Sequence, residues 1–302
     1  MGPVELSGVI VPVFTPVDDE DRVDELAFRR ALRRLIGAGV HALFVGGSAG
    51  VGPLLVAREW QRLMEIAADE VNGALPLLGG AIDTSTRRIK DKIGVMAGLG
   101  FKYCVVTPSY YYTLHTPDEH LRLFSECAES SPGVAVVAYN IPACTQSEIP
   151  VEVICELARR GVLKYCKDSS TDLAYFQRLI AEAAPLGLKV FMGEEPHIAA
   201  ALLGGAAGIV PVCANLEPQT FIQAYQAGLR QDRAALERLQ ARVLVLRVNV
   251  VQAVPCWIAG VNAAMAVLGY GSGNAVSPLQ RLTAGEKQKL EAFMRAGIVQ
   301  GA

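Results

Sequence analysis

Short apolar runs alternate with helical patterns along the first three quarters of the chain. The first run, GVIVPVFTP at residues 8–16, is followed at 24–39 by apolar residues spaced three and four apart. Asp24 is placed to cap that helix, and Gly37 or Gly39 to end it. Seven further runs, each followed by a helical pattern, lie at 41–47, 75–81, 101–108, 134–140, 162–167, 188–193 and 207–212. The pattern therefore predicts eight strand–helix units.

The predicted strands are apolar at nearly every position, which is typical of a parallel sheet covered on both faces. Eight such units are what a closed (β/α)8 TIM barrel requires. A doubly wound open sheet is the alternative, but it usually carries a glycine-rich loop after its first strand. Here Thr15 and Pro16 stand at that point. We predict a barrel over residues 1–229 and additional C-terminal helices over 230–302, packed on the barrel as one structural unit.

Composition narrows the class of protein. The chain has 302 residues, 51% of them hydrophobic and 19% charged, which suits a large core. The net charge of -2 gives no indication of nucleic acid as a partner. The seven cysteines are scattered, as in a reducing cytoplasm. The start has no signal-peptide pattern, and the uncharged stretch 198–214 is short and interrupted by glycines and a proline. We expect a cytoplasmic protein with no membrane partner.

Reactive side chains follow several of the predicted strands. Lys167 ends the sixth strand, Tyr139 ends the fifth, Tyr110 follows the fourth, and Ser48 and Ala49 follow the second. Active sites of TIM barrels lie at the carboxyl ends of the strands, so these residues should meet. A surface lysine and packing tyrosines are the simpler reading of each one alone. Together they favour an amine that forms an imine with a 2-oxo acid, beside a phenol that moves protons.

Imine formation between a lysine and a 2-oxo acid does not require a metal ion or an organic cofactor. The imine itself withdraws electrons from the substrate, so we predict no metal and no organic cofactor. None of the four histidines pairs with another at the spacing of a metal site. The loop GGSAGVG lacks the Gly-Lys-Ser/Thr ending of a P-loop. Its backbone N–H groups and its serine hydroxyl are suited instead to a substrate carboxylate.

Five motifs in order resemble those of the dihydrodipicolinate synthase and N-acetylneuraminate lyase family. They are GGSAG, VVTPSYY, AYNIP, KDSSTD and GAAGIVPVCAN. The resemblance implies a TIM barrel that binds pyruvate or a related 2-oxo acid as an imine. It assigns the imine to Lys167 and proton relay to Tyr139, with Ser48 passing protons to that phenol. It also assigns binding of the substrate carboxylate to Ser48 and Ala49.

The same resemblance concerns two further positions and the assembly. Tyr110 matches a tyrosine that reaches into the active site of a neighbouring subunit, which implies a homo-oligomer built as a dimer of dimers. Val210 matches an apolar residue beside the imine.

Some positions depart from the family pattern. Cys144 stands where the synthases that make dihydrodipicolinate carry an arginine for the second substrate's carboxylate. Val51 replaces a usual glutamate, and Tyr165 replaces a frequent glycine and should fill the barrel interior below Lys167. We therefore predict a lyase or aldolase acting on a 2-oxo acid, such as a 4-hydroxy-2-oxo acid aldolase. The alternatives are a true synthase, a dehydratase or hydratase of a sugar-derived 2-oxo acid, and a non-catalytic binding protein.

Overall fold

Eight parallel strands close into a barrel in which each strand pairs with the next along the chain. The structure is a computed structural model and describes residues 5–297. The predicted TIM barrel is confirmed, and all eight predicted strands are present. The strands are β1 Gly8–Pro12, β2 Ala42–Val45, β3 Leu77–Gly80, β4 Tyr103–Val106, β5 Ala135–Asn140, β6 Tyr165–Asp168, β7 Lys189–Met192 and β8 Gly208–Ile209.

The barrel closes where β8 pairs with β1, with Gly8 opposite Gly208. A Cβ atom on Gly208 would lie 2.1 Å from the carbonyl oxygen of Gly8, which is far inside van der Waals contact. The absence of a side chain at Gly208 therefore lets the first and last strands approach closely enough to pair.

Helices surround the barrel and continue beyond it at the C-terminal end. The helix predicted over 24–39 is found at Glu25–Ala38, within one residue of each expected end. The helices are α1 Glu25–Ala38, α2 Ala57–Val71, α3 Thr86–Gly98, α4 Pro117–Ser130, α5 Pro142–Thr145, α6 Val151–Arg159, α7 Leu173–Ala183, α8 Ile198–Leu203, α9 Pro218–Leu229, α10 Arg233–Leu246, α11 Trp257–Val267 and α12 Ala284–Gly297. Within residues 5–297, no helix combines the length and the apolar character that a membrane span needs.

Two large apolar cores stabilise this arrangement, and a third, small cluster is formed by Val17, Val51 and Val276. The larger one lies between the sheet and the surrounding helices. The smaller one fills the barrel interior and includes Phe44, Tyr139 and Tyr165. The rings of Tyr165 and Tyr103 meet edge to face with centroids 5.7 Å apart, so the predicted filling of the interior by Tyr165 is confirmed.

The chain after α10 differs from the sequence-based expectation. The apolar pattern predicts one regular helix through residue 252, but the helix changes to a π-helical turn at Arg247–Val251. Gly260 on α11 packs against this turn, since a Cβ there would lie 2.3 Å from the carbonyl oxygen of Val250. Such turns are rare and occur frequently at functional sites. This one places Arg247 at the mouth of the barrel.

Candidate active site

Lys167 and Tyr139 stand side by side on neighbouring strands, because β5 and β6 pair with these two residues in register. Lys167 is 7% exposed, and its Nζ atom lies 3.8 Å from the centroid of the Tyr139 ring. The ring of Phe44 is on another side, with its centroid 5.5 Å from Nζ. Within the described part of the chain, no carboxylate forms an ion pair with this amine. The amine is therefore held by aromatic rings and not by a counter-ion.

A glycine at the end of β7 makes room for the lysine. A Cβ atom on Gly193 would lie 2.8 Å from Cε of Lys167 and 2.1 Å from Oγ of Ser169. Since Gly193 N–H donates to the carbonyl of Asp168 at 2.7 Å, its backbone cannot easily move away. The path of the lysine side chain toward the mouth depends on this missing side chain.

Asp168 follows the lysine but serves a different purpose. It is buried, and its Oδ1 accepts hydrogen bonds from Asn140 Nδ2 at 2.8 Å and from the backbone of Ser170 at 3.2 Å. Its Oδ2 accepts from the Ser170 hydroxyl at 3.0 Å. Burial raises the pKa of Asp168 to about 6, although these hydrogen bonds oppose the rise. This network fixes the ends of β5 and β6, and so the backbone that carries Tyr139 and Lys167.

The loop after β2 turns back tightly so that Ser48 and Ala49 face the mouth. The turn is closed by hydrogen bonds from Val51 N–H to Ser48 O and from Gly52 N–H to Gly47 O. Val51 adopts a left-handed conformation with φ of 49°, an uncommon state for a β-branched residue. A Cβ on Gly52 would lie 1.9 Å from the carbonyl oxygen of Gly46, so only glycine fits there. The tight turn thus presents a hydroxyl and backbone to the lysine.

These elements enclose a cavity of about 270 Å³ at the carboxyl ends of the strands. Five of the six predicted site residues line it together: Lys167, Tyr139, Ser48, Ala49 and Val210. This volume is just below the roughly 300–1,000 Å³ usual for small-molecule sites, and the cavity continues into a second one.

Tyr110, the sixth, lines an adjoining cavity of about 230 Å³. The two cavities share Ser48, Ile141, Cys144 and Trp257, so they are parts of one cleft. Burial raises the pKa of the Tyr110 phenol, and the carboxylate of Asp83 adds to this rise.

Three charged side chains at the mouth carry no predicted role. Glu194 and Glu195 follow β7, and Arg247 approaches from the π-helical turn. Arg247 Nη2 lies 3.5 Å from Glu194 Oε2, and its Nη1 lies 3.6 Å from Glu195 Oε2. Burial raises the pKa of both carboxyl groups, and the charge of Arg247 opposes the rise in each. Arg247 and Trp257 belong to the C-terminal helices, where no sequence motif marked either residue.

The model of the dihydrodipicolinate synthetase family matches residues 5–297 of this chain. The chain belongs to this family. A DapA-like lyase of Halobacterium salinarum is 31% identical over 292 residues, which cover 96% of this chain and 93% of that protein. An N-acetylneuraminate lyase of Salmonella paratyphi B is 28% identical over 235 residues, which cover 78% of each chain.

A solved structure gives the same picture of the fold. The dihydrodipicolinate synthase of Bacteroides thetaiotaomicron superimposes with a TM-score of 0.91 at 26% identity, covering 96% of this chain and 98% of that one. The named family members therefore include both synthases and lyases. Over residues 5–297, no group of three or more His, Cys, Asp or Glu side chains is placed to hold a metal ion.

Proposed function

We propose that this dihydrodipicolinate synthetase family member is a lyase that makes and breaks a carbon–carbon bond next to a 2-oxo acid. Lys167 forms an imine with pyruvate or a related 2-oxo acid. The physiological reaction is the reversible aldol cleavage of a 4-hydroxy-2-oxo acid to a 2-oxo acid and an aldehyde.

Condensation proceeds through an imine and then an enamine. The Nζ atom of Lys167 attacks the carbonyl carbon of pyruvate, and water leaves to give the imine. Loss of a proton from the methyl carbon gives an enamine, whose carbon attacks the aldehyde carbon. The new alkoxide takes up a proton, and water hydrolyses the imine to release the 4-hydroxy-2-oxo acid and the free amine. Cleavage runs through the same steps in reverse.

The single observation that carries this proposal is the surroundings of Lys167. Lys167 is 7% exposed, and its amine stands at the barrel mouth beside Tyr139 and Phe44, with no carboxylate ion pair among the described residues. A lysine so placed need not break an ion pair before it attacks a carbonyl carbon. A solvent-exposed lysine with a structural role would not be positioned in this way.

Tyr139 and Ser48 are the groups that we propose for proton transfer. Both line the lysine's cavity, and Tyr139 is next to Lys167 by strand register. A phenol beside the amine can give and take protons as water leaves and returns. Ser48 and Ala49 then bind the substrate carboxylate, and Val210 packs beside the imine.

We also propose that the protein assembles as a homo-oligomer in which Tyr110 serves a neighbouring subunit's site. Tyr111 and Tyr112, next to it, are 83% and 75% exposed, and their rings stack edge to face at 5.1 Å. Such exposed aromatic pairs are typical of interaction surfaces. Mixing the inactive variants Tyr110→Phe and Lys167→Ala should restore activity in hybrid assemblies, whereas a Tyr110 that serves only the cleft of its own subunit would give no recovery.

The proposal is tested by following pyruvate released from a panel of 4-hydroxy-2-oxo acids, with lactate dehydrogenase as the coupling enzyme. The wild-type protein should release pyruvate, and Lys167→Ala should not. Product analysis separates the alternatives, because a dehydratase releases water and keeps the carbon chain, and a synthase consumes pyruvate and aspartate semialdehyde. Equal turnover by wild type and Lys167→Ala would refute the proposal.

A further inference from the structure

The arginine at the barrel mouth, Arg247, has more hydrogen-bonding capacity than its neighbours use. Its two contacts with Glu194 and Glu195, at 3.5 and 3.6 Å, are longer than the roughly 2.7–3.2 Å of a direct N–H···O hydrogen bond. Its Nε atom is buried and has no hydrogen-bond partner in the part of the chain that the structure describes. The guanidinium is therefore held near two carboxylates without being hydrogen-bonded to either.

A second arginine on the same helical segment, Arg242, forms the direct hydrogen bonds to a carboxylate that Arg247 lacks. Arg242 on α10 donates from Nε to Oε2 of Glu217 at 3.0 Å, and its Nη2 also reaches that carboxylate. That guanidinium is engaged in the two-point fashion that planar Arg–carboxylate pairs prefer. Arg247 has two carboxylates within reach and forms no such pair, so its fork of donors is available to a further acceptor.

The acceptor must come from the cavity. Arg247 lines the same 270 Å³ space as Lys167, and its side chain is only 21% exposed. Glu195, which is buried, is already held by the backbone N–H of Cys213 at 2.7 Å, so it cannot move readily to Arg247. An acid group on a short substrate anchored at Lys167 is the partner that the cavity admits.

We propose that Arg247 binds an anionic group on the aldehyde half of the substrate, so that the enzyme prefers an aldehyde carrying a carboxylate over a neutral one. This inference rests on the proposed function and names the substrate class of that site. Cys144 provides no cation at the place where the synthases carry their arginine, and Arg247 supplies one from the C-terminal helices. Glu194 competes with the substrate anion for the same guanidinium.

The test uses two aldehydes of similar size in condensation with pyruvate. Glyoxylate carries a carboxylate, and acetaldehyde has a methyl group in its place. The quantity to follow is the ratio of kcat/KM for glyoxylate to that for acetaldehyde. We expect the ratio to favour glyoxylate in the wild type and to fall by about 100-fold in Arg247→Met, because a carboxylate in a partly buried cleft then lacks its partner.

Three further variants make the test specific. Arg247→Lys keeps the charge and loses the fork, so its ratio should lie between wild type and Arg247→Met. Glu194→Gln removes the competing carboxylate and should raise the ratio. Arg238→Met, at an exposed position on α10, is the matched control and should leave the ratio within about twofold.

The outcomes separate this inference from the proposal on which it rests. An unchanged ratio in Arg247→Met, in protein whose melting curve matches the control and whose Lys167 is still trapped by pyruvate and borohydride, overturns the role of Arg247 alone. A lower ratio in Glu194→Gln also contradicts it. Failure of the wild-type protein to be trapped at Lys167 overturns the proposed function itself.

Discussion

Replacing Gly193 by alanine tests whether the position of the lysine amine, and not merely its presence, determines activity. The new Cβ would lie 2.8 Å from Cε of Lys167, 2.1 Å from Oγ of Ser169 and 2.9 Å from the carbonyl oxygen of Asp168. Two of these are side-chain atoms that can rotate, and the third is backbone. We therefore expect the lysine and the serine to change position while the barrel remains folded.

The magnitude follows from these distances. Normal contacts between carbon atoms are about 3.5–4.0 Å, so the lysine must move by about 1 Å to relieve the overlap. A displacement of that size in a reacting group costs about 100-fold in rate. Overpacking of this kind costs about 1–3 kcal/mol of stability, which a folded TIM barrel can tolerate.

The assay is kcat/KM for pyruvate release from the best 4-hydroxy-2-oxo acid, with a thermal melting curve of the same sample. Gly94→Ala is the matched control, since a Cβ at Gly94 on α3 meets nothing within 4 Å. We expect the control to keep wild-type activity and to gain up to about 1 kcal/mol of stability. If Gly193→Ala retained activity within twofold of the wild type, the lysine would not be positioned as we describe.

Further predictions concern proton transfer and pH. Tyr139→Phe keeps the ring beside Lys167 and should lower kcat by about 100-fold or more with an unchanged melting temperature; turnover within a few-fold of wild type would make Tyr139 structural. For Asp168, burial raises the pKa in the folded state to about 6, above its ordinary value of 3.8, so folding disfavours the ionised form. Protonated Asp168 therefore makes its full contribution to the free energy of unfolding below about pH 4. That contribution is lost as pH rises through about 6. Urea unfolding should show that wild type loses up to about 3 kcal/mol between pH 4 and 7 relative to Asp168→Asn, and parallel curves would contradict the shift.

The sequence alone predicts which reactive side chains lie together where those side chains stand at the carboxyl ends of strands. Lys167 and Tyr139 end adjacent parallel strands, and parallel pairing alone brings such residues side by side. The small-residue loop at Ser48 could be placed at the same mouth for the same reason. The alternating pattern of apolar runs and helices supplied the strand order, because consecutive units of a barrel are neighbours in space.

The rest of the site depends on contacts that no local pattern encodes. Arg247 and Trp257 reach the cavity only because the C-terminal helices fold back over the barrel, and the π-helical turn at Arg247–Val251 interrupts an apolar pattern that looks regular. Helical periodicity identifies the buried side of a helix but does not tell which neighbour covers it. The sequence shows Glu194 and Glu195 after β7, but it does not show that Arg247 lies beside them.

The central claim is that Lys167 forms an imine with a 2-oxo acid, and borohydride trapping tests it most directly. Pyruvate and borohydride together should inactivate the protein and add the mass of one reduced pyruvyl group to the peptide that contains Lys167. Lys164→Ala is the control, because Lys164 is exposed and lines a groove apart from the Lys167 cavity. This variant should be labelled as fully as wild type. Labelling that persists in Lys167→Ala, or that falls on Lys164, would contradict the account.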